Sequence, residues 1–212
     1  MYNNLKNLFI KNLKENLFIY FFVFFCLLIG ISIGAFTIKV VDLHQKQELI
    51  SYLKGFFRLL DETGLRSMDI FKESIFNNIQ LLVLSWLMGL VIIGIPIVLL
   101  VVVFKGFVIG FTVGLIIDEF KFYGVLLFIL GIFPQNLLLV PAFIIAAVTS
   151  IVFGITVIKA KIKKNKTFKL SKLIFTYTSI YLVILLMVIM GSLIESFIVP
   201  SFIKLIANYI GV

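Results

Sequence analysis

The sequence predicts an all-α, polytopic membrane helical bundle of about five transmembrane helices, with one half-helix and two amphipathic helices on the outer side. Three observations predict it. Hydrophobic residues make up 62% of the 212 positions and charged residues only 14%, with a mean hydropathy of +1.20, so a soluble domain of this size could not hide the apolar surface. Three apolar runs, at 17–38, 74–104 and 173–194, are each long enough to cross a bilayer unaided. Between two such runs, residues 159–172 carry seven lysines and no acidic residue, the pattern of a loop held in the cytoplasm. The formal charge of +9 is concentrated in that loop and, to a smaller extent, in the first sixteen residues. It therefore reads as a topology signal, with the lipid bilayer as partner, and not as a nucleic-acid surface.

Taken in order, residues 1–16 form a cytoplasmic tail with Lys6, Lys11 and Lys14. The first span, 17–38, is 22 residues long against roughly 7–15 for the apolar core of a signal peptide, so it is expected to stay as an anchor. Residues 39–77 form an outer loop with six basic and six acidic residues, neutral and free to be translocated. On a helical wheel its first half separates cleanly. Leu49, Ile50, Tyr52, Leu53, Phe56, Phe57, Leu59 and Leu60 fill one half, while Ser51, Lys54, Gly55, Arg58, Asp61 and Glu62 fill the other. That segregation predicts a helix in the interface or docked on a partner, with Leu49, Tyr52, Leu53, Phe56, Phe57 and Leu60 as its candidate contact residues.

The second and third spans are placed at 78–100 and 102–118. The third is short, since 106–117 alone gives about 18 Å of helix against a core of about 30 Å. Borrowing backward through Lys105 lengthens it, with the ammonium expected to snorkel to the cytoplasmic interface. The long apolar stretch 122–158 is broken by Pro134, Gln135, Asn136 and Pro141, and divides into a half-helix at 122–133 and a fourth span at 137–158. A full extra crossing there would move the lysine loop to the wrong side, because the amino terminus and that loop must be separated by an even number of spans. The fifth span, 173–194, then carries the carboxyl terminus outside. The tail 195–212 forms a second amphipathic helix after Pro200, with Phe202, Leu205, Ile206, Tyr209 and Ile210 opposite Lys204 and Asn208.

Small residues recur at four-residue spacing in two spans. Gly106, Gly110 and Gly114 line one stripe, Ala142, Ala146, Ser150 and Gly154 another, and Gly30 and Gly34 a shorter third. Lipid gives helices no hydrophobic reason to associate, so close approach along such stripes is the expected glue, within the chain and not between copies.

Chemistry is sparse. The single histidine, His44, stands among charged residues in the outer loop, and the single cysteine, Cys26, has no partner in the chain. No zinc-binding H-E-x-x-H and no phosphate-binding G-x-x-x-x-G-K-[ST] occurs, so neither a metal, a nucleotide nor a cofactor is expected, and the chain reads as a non-enzyme. Every charge is placed near a span end. Gln135 and Asn136, between prolines, are the one strongly polar cluster within an apolar run, serving either to satisfy freed backbone groups or to line a polar contact site.

The segments KGFVIGFTVGLIIDEF (105–120), FPQNLLLVPAFI (133–144), QKQELISYLKGFF (45–57) and the GIP at 94–96 together resemble the stage II sporulation protein M family of integral membrane proteins. The resemblance extends over nearly the whole chain and includes the five-span layout. It implies a membrane scaffold without hydrolytic activity, acting when the mother cell engulfs the forespore. Its implied partners are stage II sporulation proteins D and P, peptidoglycan hydrolases that it recruits and retains at the septum during peptidoglycan remodelling. The implied location is the mother-cell membrane at the sporulation septum, with the outer helices facing the wall. A permease-like subunit of a membrane transporter is the alternative that the broken fourth run and the small-residue stripes leave open.

Overall fold

The computed structural model describes residues 16–62, 67–162 and 169–203, which are almost entirely helical with no strand among them. The expectations for the amino-terminal lysines, for Lys204 onward and for the centre of the lysine loop lie outside the described residues. The helices are α1 (Leu17–Val40), α2 (Leu43–Glu62), α3 (Ser67–Leu90), α4 (Ile95–Phe120), α5 (Phe122–Leu127), α6 (Phe133–Ile162) and α7 (Leu170–Leu193). Four stretches are long and apolar enough to cross a membrane: Leu17–Val40, Ile95–Phe120, Phe122–Ile162 and Leu170–Ile203. The more polar α3 runs among them. The chain is thus a multi-pass helical membrane protein.

Residue pairing gives the directions. Gly30 approaches Val103 and Phe107 while Gly34 approaches Phe107 and Phe111, so α1 and α4 run parallel. Ser74 bonds Ser192 and Trp86 bonds Thr178, so α3 and α7 are antiparallel. Ser150 meets both Tyr177 and Tyr181 of α7 and the Ser85 carbonyl of α3, which sets α6 against α7 and alongside α3. Five helices therefore alternate. The start of α1 and both ends flanking the lysine loop lie at one end of the bundle, and α2 lies at the other.

Along the seam between α1 and α4, glycines on both helices bring the two backbones together. A β-carbon placed on Gly30 or Gly34 would run into the carbonyl oxygens of Val103 and Phe107, and one on Gly106 or Gly110 into those of Leu27 and Ile31. At Gly114 the nearest atom is the Ala35 Cα, at 3.2 Å. Backbones this close place Cα–H groups against carbonyls, each such contact contributing about 0.5–1 kcal/mol. The glycine stripe of α4 thus meets the glycines of α1, not the alanine stripe of α6.

That second stripe is spent elsewhere. Ala142 and Ala146 are buried in a cluster with Leu82, Tyr177, Tyr181 and Ile184, and Gly154 makes room for the Ile95 side chain. Ser150, 0% exposed, joins three helices through the hydroxyls of Tyr177 (3.0 Å) and Tyr181 (2.7 Å) and the Ser85 carbonyl (3.3 Å). In lipid, where no water can substitute, such interhelical bonds hold register as well as affinity.

Three boundaries differ from the sequence expectation, each for a backbone reason. The segment 78–100 is not one span, because a tight turn at 91–94 interrupts it. There Val91 and Gly94 donate to the carbonyls of Met88 and Val91, and the Gly94 backbone sits so near Met88 that a side chain would not fit. Pro96 then occupies the first turn of α4, where its missing N–H costs nothing. Consequently α4 has 26 residues, about 39 Å, and needs no borrowing through Lys105.

Residues 122–133 are not a separate half-helix either. α5 passes through a π turn, Phe128–Ile132, directly into α6. Nor does the last span stop at 194, since a second π turn, Ile194–Ile198, carries α7 on to Ile203. Each π turn contains the residue four before a proline: Leu130 for Pro134 and Ser196 for Pro200. A proline ring presses on that carbonyl and offers it no donor, and the wider turn relieves both faults without ending the helix. Pro141 lies inside α6.

At Gly110, substitution by leucine would drive a branched side chain into the α1 backbone. We expect Gly110→Leu to destabilise the protein by at least about 1–3 kcal/mol, read as a lower thermal midpoint and loss of monodisperse material in detergent. Gly55 in α2 has nothing within 4 Å of its missing β-carbon. Gly55→Ala is the matched control and should stabilise by about 0.5–1 kcal/mol.

Candidate functional site

The bundle is hollow where α3 and α4 diverge from their turn. A cavity of about 490 Å³ lies between α3, α4, the start of α6 and the π turn after α7, and polar and charged side chains from all four are set in its otherwise apolar wall. From α3 come Ser74, Asn77, Asn78 and Gln80, from α4 Lys105 and Thr112, from α6 Gln135 and Asn136, and from the last π turn Glu195.

Lys105 is the centre of this wall. It stands eleven residues into the 26-residue α4, so its ammonium does not reach an interface as expected but turns into the bundle. There it donates to Asn78 Oδ1 at 2.6 Å and lies 5.1 Å from the centroid of the Phe143 ring. Asn78 passes its own amide hydrogens to the Ser74 carbonyl (2.9 Å) and, more weakly, to Ser74 Oγ (3.4 Å). Ser74 Oγ in turn bonds Glu195 Oε2 at 2.6 Å and Ser192 Oγ at 3.0 Å. A cation and a carboxylate are thereby joined through an amide and a hydroxyl, with no direct ion pair between them among the described residues. A charge buried among apolar helices is costly unless paired or hydrated, which makes this the candidate functional site.

The proline-flanked cluster divides by role. Asn136 folds its amide back onto the Ile132 carbonyl at 2.8 Å, a local backbone bond beside the π turn. Gln135 is 8% exposed, and its Oε1 has no hydrogen-bond partner among the described residues. Such an acceptor, left bare, costs about 1–3 kcal/mol, and this one borders the cavity. Pro134 and Pro141 contribute by geometry: the first sits just beyond the π turn, the second within the α6 helix.

A second, smaller cavity of about 220 Å³ adjoins the first and shares Thr112, Ile132, Gln135 and Glu195 with it. The rest of its wall is apolar, from Leu53 of α2 and Ile70 of α3 to Val199, Pro200 and Ile203.

At the α2 end, the amphipathic helix is docked on its own chain. Lys46 pairs with Asp118, and Lys54 pairs with Glu119 at 2.9 Å, while Leu53 packs with Ile116 and Leu127. Leu49 and Ile50 are half-buried, whereas Tyr52 is 79% exposed. The buried face is therefore the seam between the apolar and basic halves of the wheel, because α4 ends in Asp118 and Glu119 and draws the lysines inward. Phe56, Phe57 and Leu60 lie in the helical part of α2, but their side chains fall outside the described residues. His44 projects from the exposed side beside Glu48, at 3.5 Å.

Sequence reasoning singled out Gln135 and Asn136 but missed Lys105, Glu195, Ser74 and Asn78. A signal existed: Ser74, Asn78, Leu82, Ser85 and Gly89 are the buried residues of α3 and fall on one helical stripe, and Lys105 is a lone charge in mid-run.

A bundle of apolar crossing helices, with a charged cavity among them and an amphipathic helix strapped over one end, defines an integral membrane protein of the helical-bundle class. The family model for stage II sporulation protein M matches residues 21–200, and the chain belongs to that family. No curated protein and no solved structure matches it.

Lys105 and Glu195 should be energetically coupled. Lys105→Met removes the cation linked to Glu195 through Asn78 and Ser74, so it should lower the thermal midpoint. Adding Glu195→Gln to that background should be less harmful than the same change in the parent protein, with a coupling of about 0.5–3 kcal/mol in a double-mutant cycle.

Proposed function

We propose that this sporulation-family membrane protein is a non-enzymatic scaffold that recruits and retains cell-wall hydrolases, stage II sporulation proteins D and P, at the septum during engulfment. The observation that carries the reading is α2. Two lysine–carboxylate pairs and Leu53 hold it across one end of the bundle, so that Tyr52 and Leu43 are presented outward on a rigid base. An exposed tyrosine on a fixed helix is the kind of anchor that protein partners bury. Seven lysines in the loop at the opposite end support an orientation with the amino terminus and that loop in the cytoplasm. In the mother-cell membrane, α2 and the carboxyl-terminal tail then face the space between the two cells, where the wall lies.

A second reading, a permease-like transporter subunit, is favoured by one observation, the cavity lined by Lys105, Glu195 and Gln135. Solute flux into vesicles that falls on changing Gln135 and Asn136 would support it.

The scaffold reading is tested by affinity capture from solubilised sporulating cells. The parent chain should recover both hydrolases. The double variant Lys46→Glu, Lys54→Glu sets like charges against Asp118 and Glu119, so it should accumulate normally but recover much less of them. Capture of neither hydrolase by the parent chain would overturn the scaffold.

A further inference from the structure

The geometry points to a lipid site: the paired cavities hold an aminophospholipid, with its phosphate on Lys105, its primary ammonium on Glu195 and Gln135, and an acyl segment in the apolar chamber. The first argument is amphiphilicity. A cavity with a lysine and a carboxylate on its wall adjoins an apolar one and shares four lining residues with it, so one molecule with a charged head and a hydrocarbon tail fits both, whereas a small polar solute fits only the first.

The second argument is access. The rim of the polar cavity includes Asn77 and Gln80 on α3 and Phe104 and Val108 on α4, all exposed on the flank of the bundle, Phe104 by 54% and Val108 by 42%. α4 is one of the helices long and apolar enough to cross a membrane, so a rim on its exposed flank is within reach of acyl chains.

The third is donor and acceptor matching. Lys105 has three N–H donors, and beyond Asn78 and the Phe143 face no carboxylate lies within ion-pair distance among the described residues, which leaves donors for an anionic oxygen. Among the described residues Gln135 Oε1 is bare and Glu195 accepts from Ser74 alone, through Oε2, so both call for N–H donors. A primary ammonium supplies them. A quaternary one has no N–H to give and does not.

The site stands independently of the scaffold reading, because hydrolase capture does not test it. Native mass spectrometry of the full chain, released from detergent with equimolar phosphatidylethanolamine, phosphatidylglycerol and phosphatidylcholine, reads the preference. Phosphatidylethanolamine should be retained about tenfold over either competitor. Glu195→Gln should erase its advantage over phosphatidylglycerol, and Lys105→Gln should weaken both. Gln135→Met removes the bare acceptor, so it should keep or raise the thermal midpoint while lowering phosphatidylethanolamine retention. Equal retention of the three lipids, or a preference that survives Glu195→Gln and Gln135→Met, would overturn the site. Free phosphoethanolamine competing as well as the lipid would overturn the lipid assignment.

Discussion

Between helices surrounded by hydrocarbon there is no water to expel, so attraction must come from contacts that lipid cannot offer. The seam of α1 on α4 meets this constraint by omission. With Gly30, Gly34, Gly106 and Gly110 bare, carbonyls of each helix reach the Cα atoms of the other. α1 has few other contacts and exposes phenylalanines such as Phe18 and Phe21 along its remaining surface. Its place in the bundle depends on that seam. The other half of the molecule uses hydrogen bonds instead, gathered at Ser150 and the two tyrosines of α7. One half is fastened by shape and the other by polar groups, and the cavity lies where the two halves meet.

The two prolines that sequence inspection takes for breaks shape that cavity. By widening one turn rather than ending a helix, Pro134 and Pro200 let long helices continue past the expected boundaries. The widened turns flank the cavity, with Ile132 and Glu195 both on its wall. Glu195 would otherwise belong to a tail beyond the last span. On a π turn it reaches Ser74, and through Asn78 it is linked to Lys105. Charges that a linear reading distributes to interfaces are brought inside by this backbone adjustment. The energetic penalty of holding them there is the reason to assign the cavity a task.

The two ends of the molecule then differ in character. At one, α2 is strapped to the acidic end of α4 and shows Tyr52 and Leu43 outward. At the other, lysines crowd a short loop.

Much of the architecture is legible in the residues themselves. Apolar runs of membrane length, the lysine loop and the parity between them depend only on local transfer energies, which is why the helical class and the layout of alternating crossings follow from composition and order. The glycine stripe of α4 is equally local, being a four-residue period on one helix. Which stripe it faces is not local: Gly106 could pair with Ala142 or with Gly30, and only the relative heights of the helices choose. The same holds for the cavity. Ser74 and Glu195 are 121 positions apart, and no period connects them. Helix ends, π turns and the inward turn of Lys105 were settled by packing between distant segments. That energy belongs to pairs of helices, and no single stretch of sequence contains it.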